Sequence, residues 1–148
     1  MKLALRHTVP NDATALARIA DAITRFVLHT RWGHSGLVIG NTLYHATSKH
    51  GLIKEDFDPE GWDVFDLGPE RDSYLTDLFL YRQKTKQTKY DWFSLLSFTI
   101  LGLLFKRITD SGRVYCHEWC YEVMTRRQPT TKVTPETLLK EYIEKKLT

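Results

Sequence analysis

Apolar and polar positions change their spacing several times along this chain, and each change predicts an element. Lys2 to His7 alternates weakly and predicts a first strand. After Pro10-Asn-Asp, apolar residues recur at helical spacing at Leu16, Ile19, Ile23, Phe26 and Val27. That spacing predicts a helix over about residues 12 to 28 with one buried face. Asn11 or Asp12 is suited to accept hydrogen bonds from its first-turn amides. Gly33 ends the pattern. Leu37-Val-Ile39 and Thr42-Leu-Tyr44 then flank Gly40-Asn41, a two-residue hairpin signal. A further strand is expected after Gly51, a turn at Asp58-Pro-Glu-Gly61, and a strand over Trp62-Asp-Val-Phe-Asp-Leu67.

From Pro69 the spacing is helical again, with Tyr74, Leu75, Leu78, Phe79 and Tyr81 on the expected buried face. Gln83 to Lys89 is polar and reads as a loop. Tyr90-Asp-Trp92 introduces Phe93–Phe105, the most apolar run. A bilayer span needs about 20 residues, so this shorter run is expected as a buried helix. Asp110-Ser-Gly112 is a turn. A strand-like run then gives way to a helix within Arg113-Val-Tyr-Cys-His-Glu-Trp-Cys-Tyr-Glu-Val-Met124. The last helix is marked by Thr134 as cap, Pro135 at the first position and Glu136 beside the dipole, with Leu138, Leu139, Tyr142 and Ile143 as its apolar face. No repeat and no long linker interrupts the 148 residues, which read as one α+β domain, 1–148.

Composition narrows this picture. An apolar content of 42% supports a single core and argues against disorder. The net charge is only +3. Basic residues gather at Lys84, Lys86 and Lys89, at Arg126 and Arg127, and at Lys145 and Lys146, without the dense stripe that nucleic acid requires. No nucleic-acid partner is expected. A membrane surface remains compatible with the basic clusters and the Phe93–Phe105 run. The first seven residues lack the apolar core of a signal peptide, and two cysteines are too few for a disulfide scaffold. Cys116 and Cys120 lie one turn apart on the expected helix, where a bond between them would distort it. Both are read as free thiols in a reducing, cytoplasmic setting.

The hairpin brings two histidines together. With Gly40-Asn41 as its loop, Ile39 faces Thr42, Val38 faces Leu43 and Leu37 faces Tyr44; Gly36 then faces His45, and His34 faces Thr47. His34 and His45 become diagonal neighbours on one face, within mutual reach, and Gly36 leaves room between them. A one-residue slip would separate them. Cys116 stands at a helix start, where free amides and the aligned dipole stabilise an anion. An imidazole beside it would take its proton. That requires the Cys116 helix to pack on the histidine face.

The backbone amide of Cys116 is a natural donor to an oxyanion, and Tyr90 and Tyr115 are both candidates for a second. Cys120, one turn further in, reads as a small packed residue. His117 points about 100° away from Cys116 around a helix and reads as partly exposed. Glu118 and Glu122 read as solvent-facing or as partners for helix-end amides. A zinc site from Cys116, His117, Cys120 and a hairpin histidine lacks the paired short spacings of such sites. No metal and no cofactor is expected.

His34-Ser-Gly-Leu-Val-Ile-Gly, Tyr90-Asp-Trp, Tyr115-Cys-His-Glu and Thr134-Pro-Glu-Thr-Leu138 follow one another in a distinctive order. In that order the chain resembles the circularly permuted NlpC/P60-like (papain-like) cysteine hydrolases, including phage and bacterial members related to the YiiX/YaeF group. The resemblance implies a permuted papain-like fold, an antiparallel sheet packed against helices that include the nucleophile helix. It implies Cys116 as nucleophile, His34 as general base and His45 as the polar residue that orients the base. It further implies a peptide, peptidoglycan-derived or lipid-linked acyl substrate, cleaved through an acyl-cysteine intermediate. His117 stands where the group often has serine. Lecithin-retinol-acyltransferase-like enzymes share the order and the two-histidine hairpin, but their Asn-Cys-Glu-His box is absent here. The other readings are a membrane-associated thioesterase or acyltransferase, and a catalytically silent binding protein of the same fold.

Overall fold

Alternation in the strands and the single hairpin signal set the sheet. The computed structural model describes residues 1–9, 15–47, 49–90 and 113–147. Five strands, β1 (Lys2–Arg6), β2 (His34–Ile39), β3 (Thr42–Thr47), β4 (Gly51–Asp56) and β5 (Trp62–Asp66), form one sheet in the order β4-β3-β2-β1-β5. Every neighbouring pair is antiparallel. The predicted hairpin register is present, with Leu37 opposite Tyr44, Val38 opposite Leu43 and Ile39 opposite Thr42. Gly40 takes the turn at a φ of 59°, a left-handed conformation that favours glycine.

The described helices are α1 (Ala15–Leu28), α2 (Asp72–Lys84), α3 (Cys116–Thr125) and α4 (Pro135–Lys146). A short parallel pair, β6 (Lys89–Tyr90) and β7 (Arg113–Val114), leads into α3. The architecture is therefore α+β. The predicted Phe93–Phe105 helix lies outside the described residues. Among the described residues no helix is long and apolar enough to cross a membrane.

The core forms on one face of the sheet. Leu3, Leu5, Leu37, Ala46 and Leu52 meet Trp119, Cys120, Val123 and Met124 of α3, with Leu75 and Phe79 of α2 and Leu138 of α4. Burying each large aliphatic side chain there contributes about 1.5–3 kcal/mol. The opposite face carries a smaller cluster of Ala4, Val38 and Leu43, covered by Phe57 and Trp62.

Three predicted faces need correcting. On α1, Ile19 is 56% and Phe26 79% exposed, so these two do not join the core. On α2, Tyr81 is exposed, and the buried residue beside it is Arg82, which donates from Nη2 to Glu122 Oε2 at 2.5 Å. Glu122 is thus a buried ion-pair partner, and the pairing is what allows either charge inside. On α4, Leu138 is buried but Ile143 is exposed. The start of α4 follows the prediction. Thr134 caps it by accepting from the Thr137 amide, and Pro135 follows at the first turn.

Candidate active site around Cys116 and His34

Two local rules place the thiol. Tyr115 is extended at φ −106° and ψ 167°, which ends β7 and makes Cys116 the first residue of α3. No side chain caps this helix start at Tyr115, so the first-turn amides stay directed at whatever adjoins Cys116. Tyr115 is itself fixed. Its hydroxyl donates to the Val133 carbonyl and accepts from the Val133 amide, both at 2.9 Å. That use of its only proton corrects the expectation that Tyr115 supplies an oxyanion donor. The Tyr90 backbone pairs with Val114, two residues before Cys116. The Tyr90 side chain lies outside the described residues.

The histidines meet as the hairpin geometry requires. His34 Nε2 and His45 Nδ1 are 2.8 Å apart in a buried hydrogen bond, with their rings at 71° to one another. Gly36 makes the approach possible, since a Cβ there would come within 2.5 Å of Leu43 Cδ1 and 3.2 Å of His45 Cβ. Gly36→Ala is therefore expected to destabilise the protein by about 1–3 kcal/mol through overpacking. Denaturant titration of the two proteins measures it, and equal midpoints would show that the hairpin yields freely.

The Cys116 thiol lies close enough to the His34 ring for each to shift the other's pKa, while the ring nitrogen in contact with the sulfur is His117 Nδ1, at 3.7 Å. The approach to His34 forms differently from the prediction. The body of α3 lies on the Ser35 and Leu37 face, because that face offers Leu3, Leu5, Leu37 and Ala46 to its apolar side chains. Only the start of the helix reaches His34.

One consistent set of protons joins these groups. His45 Nε2 lies 3.2 Å from Glu55 Oε1, out of line for a full hydrogen bond but well placed for an N–H facing a carboxylate. With that proton on Nε2, His45 Nδ1 is an acceptor, and His34 donates to it from Nε2. His34 Nδ1 is then left bare for the thiol. A neutral imidazole in this tautomer accepts a proton from sulfur.

Electrostatics agree with that assignment. Burial pushes the His34 pKa down to about 4, against the opposing pull of Cys116. Burial, then the Arg6 charge, likewise lowers His45 to about 4. For Cys116, burial is the largest single influence and acts to raise the pKa. The His34 charge and hydrogen bond, with hydrogen bonds from the Ser35 amide and hydroxyl, together outweigh it and leave the thiol below its ordinary value.

Ser35 and His117 form a second layer that the sequence did not disclose. His117 is 2% exposed rather than partly exposed, and it does not point away from the thiol as its place on the helix suggested: its Nδ1 lies 2.7 Å from Ser35 Oγ and 3.7 Å from Cys116 Sγ. Cys120 Sγ donates to the same oxygen at 3.4 Å. If Nδ1 of His117 carries its proton, Ser35 Oγ accepts twice and its own proton points to Cys116. Burial lowers the His117 pKa to about 4 and raises that of Cys120. The two thiols are thus polarised in opposite directions one helical turn apart. Glu118, expected at the surface, is also buried.

Among the described residues no group of three or more His, Cys, Asp or Glu side chains is arranged to hold a metal ion. A cleft of about 500 Å³ opens on the histidine face beside this chain of groups, lined by Arg6, Leu43, Glu55 and Trp62 and rimmed by Asp56, Asp58 and Glu60. No protein-family model, no curated protein and no solved structure matches this chain.

Proposed function

We propose that this protein is a cysteine hydrolase of permuted papain-like type, which cleaves an amide through an acyl-cysteine intermediate. The observation that supports it best is the position of Cys116 at the start of α3, where His34 lowers its pKa against burial and His34 is itself held from behind by His45 at 2.8 Å.

The reaction follows from those roles. His34 Nδ1 takes the Cys116 proton, and the sulfur attacks the substrate carbonyl carbon. The negative oxygen that forms meets the Cys116 amide at the helix start. The tetrahedral adduct collapses, the carbon–nitrogen bond breaks, and His34 delivers its proton to the departing amine. Water, deprotonated by the same ring, then attacks the thioester. The acid leaves, and sulfur regains its proton. His45 holds His34 in the useful tautomer throughout, and Glu55 favours the proton on His45 Nε2. Substrates are sought among peptides, peptidoglycan-derived peptides and lipid-linked acyl amides.

A panel of p-nitrophenyl acyl esters and fluorogenic peptide amides tests this, with acid quenching and mass measurement of the intact protein. The expected result is turnover with at least one compound and an acyl adduct that peptide fragmentation places on Cys116. Cys116→Ala is expected to show neither. Equal turnover by that variant would end the proposal.

A further inference from the structure

The substrate's chemistry can be narrowed at Arg6, on the premise that Cys116 and His34 are the reacting pair. Arg6 ends β1 directly across the ladder from His34 and, on the other side, from Trp62. Its guanidinium sits 5.4 Å over the Trp62 ring, and that ring is 5.8 Å from His34. The Arg6 Nε is buried and makes no hydrogen bond. The neighbouring cation, Arg25, also leaves one buried nitrogen bare, Nη2, but it is held by the Asp21 carboxylate and the His7 and Arg31 carbonyls. Arg6 instead lines the cleft beside the histidine pair.

A half-buried guanidinium with a bare N–H is costly unless something completes it, and its planar fork matches a carboxylate. Burial lowers the Arg6 pKa, and the charges of Asp21 and Cys116 pull it back, so the sulfur lies within its electrostatic reach. Glu55, whose charge also acts on Arg6, and the exposed Asp56, Asp58 and Glu60 of the same cleft repel a polyanion. A single negative group passing that rim meets Arg6, whose charge is felt at the Cys116 sulfur.

We propose that Arg6 is the substrate-anion anchor of this site, which selects peptides or acyl compounds carrying one free carboxylate close to the scissile carbonyl. Arg6 determines which substrate is held, while Cys116 and His34 carry the bond-breaking step.

Alkylation tests this without a known substrate. Iodoacetate and iodoacetamide react alike, the sulfur anion forming a carbon–sulfur bond as iodide leaves, but only iodoacetate brings a carboxylate. The rate ratio of iodoacetate to iodoacetamide at Cys116, read by peptide fragmentation, is compared with the same ratio on N-acetylcysteine. The expected ratio is about tenfold higher on the protein. Arg6→Met should bring it down to the free-thiol value, and Arg6→Lys, which keeps the charge, should retain most of the preference. Circular dichroism checks that each variant is folded. A wild-type ratio equal to that of N-acetylcysteine, or a ratio unchanged in Arg6→Met, overturns the assignment. Failure of the hydrolase reading looks different: the iodoacetamide reaction alone would then titrate no lower than a free thiol.

Discussion

Acidification is expected to unfold this protein between about pH 6.5 and pH 4. Three buried histidines, His34, His45 and His117, have pKa values held down to about 4 by burial. Their value in an unfolded chain is about 6.5. As pH falls through that window the unfolded chain takes up protons that the folded one refuses. Stability is therefore fully present above about pH 6.5 and is lost as pH drops towards 4. Each pKa unit corresponds to about 1.4 kcal/mol, so each ring contributes on the order of 3 kcal/mol. His34 and His45 share a hydrogen bond, so the three contributions are not strictly additive. Even two of them approach the lower end of the roughly 5–15 kcal/mol that holds a domain together. Tryptophan fluorescence and far-ultraviolet circular dichroism against pH measure the transition. A native signal retained below pH 4 would mean that these rings are not buried as neutral groups.

The second large effect concerns His34. In the proposed mechanism, replacing it by alanine removes the proton acceptor for sulfur and the donor to the leaving amine. General acid–base catalysis of this kind is worth about 10²- to 10⁴-fold, and turnover should fall by that much. The loss should appear in kcat rather than KM, because His34 acts on the bond being broken. A fold-neutral His34→Ala protein with wild-type kcat would remove the base from the mechanism.

How far the sequence reaches is clear residue by residue. Gly40-Asn41 fixed the loop length, and an even loop forces His34 and His45 onto one face whatever surrounds them. The change from strand to helix before Cys116 was local too, so the thiol's position at the helix start was legible. The second layer was not. Ser35 faces away from His34, and its partner His117 is 82 residues distant. Nothing in a single strand or helix announces that pairing. The sequence also placed α3 on the wrong face, because the residues Cys116 to Cys120 are buried all round and leave no polar side to orient it. Arg82 and Glu122 each look like surface charges until they are seen together inside. Glu55 required the β3–β4 register, with His45 opposite Ile53 and Leu43 opposite Glu55. That connection carries no two-residue turn signal of the Asn-Gly kind. Exposure of Ile19 and Phe26 on α1 is a failure of a different sort, since helical spacing reports a face but not whether anything covers it.

The central claim is that an imidazole from β2 ionises the thiol at the start of α3 despite its burial. Titrating the rate of iodoacetamide alkylation at Cys116 against pH, in the wild type and in His34→Ala, tests it most directly. The account predicts a wild-type midpoint below the free-cysteine value of about 8.5, and a His34→Ala midpoint above it because burial is then no longer outweighed. A wild-type midpoint at or above about 8.5, unmoved by the substitution, would contradict it.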